Sequence, residues 1–261
     1  MSVETVAARW VDRWDRQQET YMADREERFA VIADVVQEVA GRPDPLIIDL
    51  GCGPGSLSAR LLQRLPAATV IGVDADPLLL GLAGAVHGPA LRLVDRDLRV
   101  PGWRDALPLD RPADAIVSTT ALHWLTKPEL AATYADAAEL LRPGGVLVNG
   151  DHLFDGPSRP TIKRLAHAVR DRRAERVGAG GEDWEGWWNA IADEPELADL
   201  VAERKAREYE HTADPEVTVD DHFRLLQEAG FSETGTVWQS GDDRVLVAIR
   251  RPARDRRPAR A

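Results

Sequence analysis

The segment Asp49-Leu50-Gly51-Cys52-Gly53-Pro54-Gly55 has the composition of a ligand-binding loop. Glycines at alternate positions permit positive φ and let the backbone approach a bound molecule closely. An apolar run, LIIDL, enters the loop and a helical segment, SLSARLLQRL, leaves it. Such a helix presents unpaired N–H groups and the positive end of its dipole to the ligand. The spacing is G-x-G-x-G, whereas the dinucleotide fingerprint places its third glycine one position later. A glycine loop alone also fits nicotinamide and flavin proteins; the spacing here disfavours them. Asp74 closes a second apolar run, TVIGVD, where a carboxylate accepts hydrogen bonds from ribose hydroxyls and selects against a 2′-phosphate. Asp97, in LVDRDL, is placed to accept from an adenine amino group, with Asp95 as its competitor. A single Asp at a strand end also caps turns, but loop, Asp74 and Asp97 in this order point to a nucleoside. Cys52 reads as a small packing residue, since nothing cationic nearby would lower a thiol pKa.

Two histidines are candidates for proton transfer. His123 follows a fourth apolar run in TTALHWL, and His152 follows a fifth in NGDHLF, with Asp151 beside it to orient either ring. An imidazole titrates near about pH 6.5 and takes a proton at neutral pH. The alternative for His123 is a residue that only packs the loop. Trp184, Trp187 and Trp188 stand at i, i+3 and i+4, on one helical face. With Trp124 they are candidates to wall an acceptor pocket, where aromatic faces also favour a cation; the competing role is packing. Tyr209 and His211 are weaker candidates for the same cavity. Trp10 and Trp14 share a face of an N-terminal helix that is either a lid over the site or a fixed packing helix.

The elements that must position these residues follow from the apolar pattern. Residues 4–40 read as helices, ended by Gly41 and the Pro43/Pro45 pair. LIIDL, TVIGVD, LRLVDRDL, DAIVST and GVLVNGD are short apolar strands alternating with helical segments, which specifies an α/β fold with a mainly parallel sheet. Residues 152–218 break that rhythm and read as a helical insertion. VDDHFRLLQEAG restores the helix pattern, and FSETGTVWQSGDDRVLVAIR reads as two antiparallel strands joined at Gly241-Asp242.

The 261 residues are 30% charged with a net charge of −11. The last twelve residues hold six Arg and one Asp, so the remaining body carries −16. An acidic body repels nucleic-acid phosphates, and residues 252–261 read as a disordered basic tail. No apolar run approaches the roughly 20 residues that cross a bilayer, and the N-terminus lacks the apolar core of a secretory signal. One cysteine excludes an internal disulfide and a cysteine-based metal cluster, and no His pair has metal-ligand spacing. A cytoplasmic protein is expected, without a membrane or nucleic-acid partner, as a monomer or homodimer. Thirty Arg against three Lys hints at a GC-rich, bacterial source.

The strings IIDLGCGPG, VIGVDADP, VDRDL, DAIVSTTALHWL and LLRPGGVLVNGD resemble the class I S-adenosylmethionine-dependent methyltransferases. ALHWL followed by LRPGG is nearest to the small-molecule group that includes trans-aconitate methyltransferase. The resemblance covers most of 46–150 and 219–250. It implies a Rossmann-like three-layer sandwich with a seven-stranded sheet and one antiparallel strand. It also implies a methyltransferase unit over 1–251, with an N-terminal helical lid (1–42), a cofactor half (43–151), a substrate-cavity insertion (152–218) and a closing helix and strand pair (219–251). S-adenosylmethionine is the implied cofactor. Asp49 and the backbone of Gly51, Cys52, Gly53 and Gly55 would hold its methionine part. Asp74, with Ala75 beside it, would take the ribose, Asp97 and the Leu98 N–H the adenine, and Thr119 would lie under the sulfonium. Tyr21 and Arg28 are similar in position to residues that hold the cofactor carboxylate. The implied reaction is methyl transfer to O or N of a small molecule. The alternative is a cyclase-like or regulatory protein that binds the cofactor without methylating.

Overall fold

The computed structural model describes residues 2–177, 181–207 and 217–252. Helix α1 (Val3–Glu19) begins at Ser2, whose hydroxyl accepts from the Thr5 N–H, and α2 (Arg25–Ala40) ends at Gly41 in the left-handed region. Then follow β1 (Leu46–Leu50), α3 (Ser56–Arg64), β2 (Thr69–Asp74), α4 (Pro77–His87), β3 (Leu91–Asp95), β4 (Ala113–Thr119), α5 (Lys127–Leu140) and β5 (Leu141–His152). Helices α6 (Pro160–Val177), α7 (Trp184–Ile191) and α8 (Ala198–Ala206) come next; no strand occurs among the described residues of 153–218. Helix α9 (Val219–Glu228), β6 (Phe231–Ser240) and β7 (Asp243–Arg250) close the fold.

The seven strands form one sheet in the order β3-β2-β1-β4-β5-β7-β6. Strands β1 to β5 pair in parallel, and β7 runs antiparallel to both β5 and β6. The uninterrupted burial of β1 is what a doubly covered parallel strand requires. Alternate residues feed two cores. Ile48, Ile116 and Leu147 face α5 and α9, while Ile47, Val117 and Val148 face α2 and α3. A third cluster joins α1, α4 and α7 through Val6, Trp10, Leu78, Leu82 and Trp187.

Strand order reverses between β1 and β4, the switch point where such sheets bind ligands outside their carboxyl ends. Along that edge the order of groups is Asp97 beyond β3, Asp74 on β2, the glycine loop after β1, Thr119 on β4 and His152 on β5. Four strand spacings of about 4.8 Å separate the first from the last, enough for a nucleoside at one end and a second molecule at the other. The basic tail, apart from Pro252, and Tyr209 and His211 lie outside the described residues.

Candidate active site

A cavity of about 820 Å³ opens over this edge, near the upper end of the usual 300–1,000 Å³ for ligand pockets. Its floor is the loop. Gly51 has φ +66°, and a Cβ there would stand 2.3 Å from the Ala121 Cβ, so only glycine fits. At Gly53 a Cβ would meet nothing closer than Leu79 at 3.9 Å. The missing side chain therefore leaves a cradle on the cavity. Asp74 holds the loop from below: its two carboxylate oxygens accept from the Gly53 N–H (2.8 Å) and the Asp76 N–H (2.9 Å). Burial pushes the Asp74 carboxyl up to about 6 against those bonds. Both oxygens keep a lone pair for ribose hydroxyls.

Asp97 lies two residues past β3 and lines the cavity with Leu98. Its carboxylate takes the Arg99 guanidinium at 2.8–3.1 Å. Burial would raise its pKa; the Arg99 hydrogen bonds and charge overcome this and lower it. Cys52 lines the cavity too, but its thiol packs on β2, where a Cβ at Gly72 would stand 2.8 Å from Sγ. Burial drives the thiol pKa well up, so Cys52 is a packing residue.

Beyond β4 the backbone is constrained. Thr120, at φ +49°, is the one non-glycine with positive φ among the described residues, and its N–H donates to the Gly150 carbonyl at 3.0 Å. The neighbouring Thr119 hydroxyl is buried without a hydrogen-bond partner at the cavity wall. His123 follows. Its Nδ1 donates to both oxygens of Asp151 at 2.9 and 3.0 Å, and Asp151 is fully buried. Burial would lower the His123 pKa, but the Asp151 charge and hydrogen bond outweigh it and raise the pKa above the ordinary value. His152 lines the cavity next to it, with Nδ1 3.1 Å from Asp242.

Several expectations need correction. Arg28 is fully buried, donates to Asp243 at 2.8 Å and does not line the cavity. Arg25 does: it stands one turn nearer the start of α2, 4% exposed, paired with Asp15 at 3.0 Å and stacked on Phe29. Asp49 does not line the cavity either; it accepts from the Ser58 hydroxyl at 2.6 Å and anchors α3. Burial pushes its carboxyl up to about 7. Gly55 lies off the cavity, at φ +86° against the His87 ring. Trp187 is fully buried against Trp10 and Trp14, at centroid distances of 5.7 and 4.9 Å.

The remaining candidates converge. Tyr21, Ala75, Trp124, Trp184 and Trp188 all line the cavity, and the Tyr21 hydroxyl accepts from the Trp184 N–H at 3.0 Å. Sequence reasoning missed Gln18, Arg25, Arg170 and Arg204, which line it from helices. A signal for Arg25 was present in DREER, but nothing local separates it from Arg28.

A family model described as "Methyltransferase domain" matches residues 47–145, the strands and loop just described. An uncharacterized methyltransferase of Geobacillus sp. is 31% identical over 164 residues, 62% of this chain and 72% of that protein. The chain belongs to the class I S-adenosylmethionine-dependent methyltransferases, and S-adenosylmethionine is its cofactor. Within that class it is similar to the protein named trans-aconitate 2-methyltransferase in Streptomyces avermitilis, at 35% identity over 64% of this chain and 62% of the relative. The protein of that name from Deinococcus radiodurans is 36% identical over 51% of this chain. The matched stretch is 49% of the Deinococcus protein, so about half to three-fifths of these two relatives is spanned. The crystal structure of Streptomyces venezuelae DesVI shares the fold at a TM-score of 0.57 and 17% identity, over 93% of this chain and 98% of that one.

Proposed function

We propose that this chain transfers the methyl group of S-adenosylmethionine to an oxygen of a small anionic acceptor. One observation carries the reading. At the β5 end of the cavity, His123, His152 and Arg170 face inward while their carboxylate partners, Asp151 and Asp242, are buried behind them at 0% and 1% exposure. Asp171 is the acidic residue that lines this end with them. A wall of donors backed by hidden carboxylates suits an acidic ligand. The name carried by the Streptomyces and Deinococcus relatives, a methyltransferase of trans-aconitate, agrees with this.

The bound cofactor supplies an electrophilic methyl on a sulfonium, displaced in line by the acceptor oxygen. The protein's part is binding, orientation and exclusion of water. In this reading Asp74 takes the ribose, Asp97 and Leu98 the adenine, and the Gly51–Gly53 backbone the methionine part, with Arg25 and Tyr21 at its carboxylate. Thr119 lies beneath the sulfonium. Trp124, Trp184 and Trp188 wall the acceptor.

A carboxylate oxygen needs no base, so an imidazolium at His123 serves to hold the acid. Its raised pKa then gives a definite sign: acceptor affinity is full below that pKa and falls as pH rises through it. A second reading is favoured by the Nδ1 contact to Asp151, which leaves Nε2 as a base for a hydroxyl acceptor. In that case the rate climbs with pH instead. Incubating the full chain with methyl-labelled cofactor and a panel of small carboxylic and hydroxy acids, trans-aconitate included, tests both. Label is expected in a methyl ester, with the acceptor KM rising with pH. Label confined to amines, or no label despite tight S-adenosylhomocysteine binding, would sink the proposal; the latter supports a non-methylating binder.

A further inference from the structure

The Gly241-Asp242 turn between β6 and β7 has a side chain that turn formation does not use. A turn aspartate is ordinarily solvated, yet Asp242 is 1% exposed. Its Oδ1 faces the His152 Nδ1 at 3.1 Å. Its Oδ2 takes the Arg170 Nη1 at 3.1 Å and the His167 Nδ1. The Asp242 carbonyl also accepts from the Leu153 N–H at 2.9 Å, which pins the turn to the end of β5. Helix α6, which carries His167 and Arg170, lies directly on this turn. A Cβ at Gly241 would stand 2.7 Å from the Ala166 carbonyl oxygen and 3.0 Å from the Arg170 nitrogen.

We propose that Asp242 is the positioning residue that assembles the acceptor end of the cavity: it orients the His152 imidazole and docks α6, and with it Arg170, on the β6–β7 turn. This rests on the reading above that the acceptor occupies that end.

The carboxylate is ionised, because its three donors overcome the rise in pKa that burial would cause. An ionised carboxylate only accepts, so each Nδ1 facing it carries a proton. Neutral His152 is therefore the Nδ1–H tautomer, with a bare Nε2 on the opposite side of the ring. His152 lines the cavity, so that Nε2 is an acceptor for a ligand O–H when neutral and a donor to an anion when protonated. The His152 N–H donates to Asp151 at 2.9 Å, which joins this pair to the His123–Asp151 pair along one stretch of backbone. A carboxylate buried to this extent is costly unless fully partnered, and three partners are more than a turn needs. Two of the three, His152 and Arg170, line the cavity.

The test uses the full chain labelled with ¹⁵N-histidine, in the wild type, Asp242→Asn and His167→Gln. Long-range proton–nitrogen spectra read the tautomers. Calorimetry reads S-adenosylhomocysteine affinity, and steady-state assays with trans-aconitate as the probe acceptor read KM and kcat. The wild type is expected to show His152 as Nδ1–H, and Asp242→Asn to shift it toward Nε2–H. The KM in Asp242→Asn should rise about 10-fold or more, the cost of a lost charge-assisted bond. Its S-adenosylhomocysteine affinity should stay within about twofold, as for distant sites. His167→Gln should keep the His152 tautomer and raise KM less. A wild-type His152 protonated on Nε2, or unchanged KM in both variants, overturns the proposal. If trans-aconitate is not methylated, the tautomer in the wild type and in Asp242→Asn decides. Failure of the wild type to bind S-adenosylhomocysteine overturns the cofactor-site reading instead and leaves the tautomer result standing.

Discussion

Asp74 meets opposing demands at one carboxylate. Desolvation raises its pKa to about 6, while the Gly53 and Asp76 N–H groups and a bound ribose all favour the ionised form. A ligand that donates hydroxyl hydrogens binds the ionised form better, so its affinity is complete above this pKa and falls as pH drops through it. S-adenosylhomocysteine titrated between pH 8 and 5 should therefore lose affinity below about pH 6. In Asp74→Asn the slope should flatten, and the affinity above that pKa should fall by about 1.5–3 kcal/mol, the range for hydrogen bonds to charged groups, with the deficit shrinking at lower pH. An unchanged slope in the variant would place the titration elsewhere. Asp74 was legible because it ends a strand. Asp49 also lies in a strand, but its side chain points to α3 and Ser58 rather than to the cavity.

Element packing separates residues that spacing groups together. Trp184, Trp187 and Trp188 share a face of α7, yet α7 is wedged between α1 and the cavity. Trp184 and Trp188 border the cavity, while Trp187 is driven into Trp10 and Trp14. Trp187→Ala should lower unfolding free energy by about 3–5 kcal/mol, as for aromatic-to-alanine changes in cores. Trp124, 38% exposed at the cavity mouth, should alter stability by no more than about 0.5 kcal/mol on truncation while raising the acceptor KM. Denaturant melts and steady-state kinetics on the two variants check the contrast; equal stability losses would contradict it. The same packing bears on α1. Its Val6, Trp10, Val11 and Trp14 are buried against α4 and α7, which favours a fixed helix over a moving lid.

For the molecule as a whole, the sheet edge collects side chains from segments far apart in the chain. Arg25, Asp74, His123, Arg170 and Trp188 all border one cavity. A ligand that bridges them stabilises the folded chain by mass action, by about 2.7 kcal/mol at 100 times Kd. With roughly 2–4 °C per kcal/mol for a chain of this size, S-adenosylhomocysteine should raise the melting temperature by about 5–10 °C. NAD should leave it unchanged, since the loop spacing disfavours a dinucleotide. Scanning calorimetry with each ligand is the check, and a rise with NAD alone would contradict the site assignment.

Sequence alone determined what short-range physics controls. Alternation of apolar strands and helices set the α/β class, glycine spacing set the loop, and strand ends placed Asp74, Thr119, His123 and His152 on one edge. The turn at Gly241-Asp242 was likewise legible from its residue types. Only the tertiary structure decided which side chains of the helices reach that edge. Arg25 replaces Arg28 because α2 starts at the cavity and runs away from it along the sheet. Trp187 withdraws into the α1–α4–α7 core, and Asp242 turns inward because α6 covers its turn with His167 and Arg170 while the end of β5 offers His152, all in hydrogen-bonding reach. Each of these depends on contacts between residues dozens to more than a hundred positions apart. Local spacing carries no information about such contacts, because it fixes the face a side chain occupies and not the neighbour that face will meet.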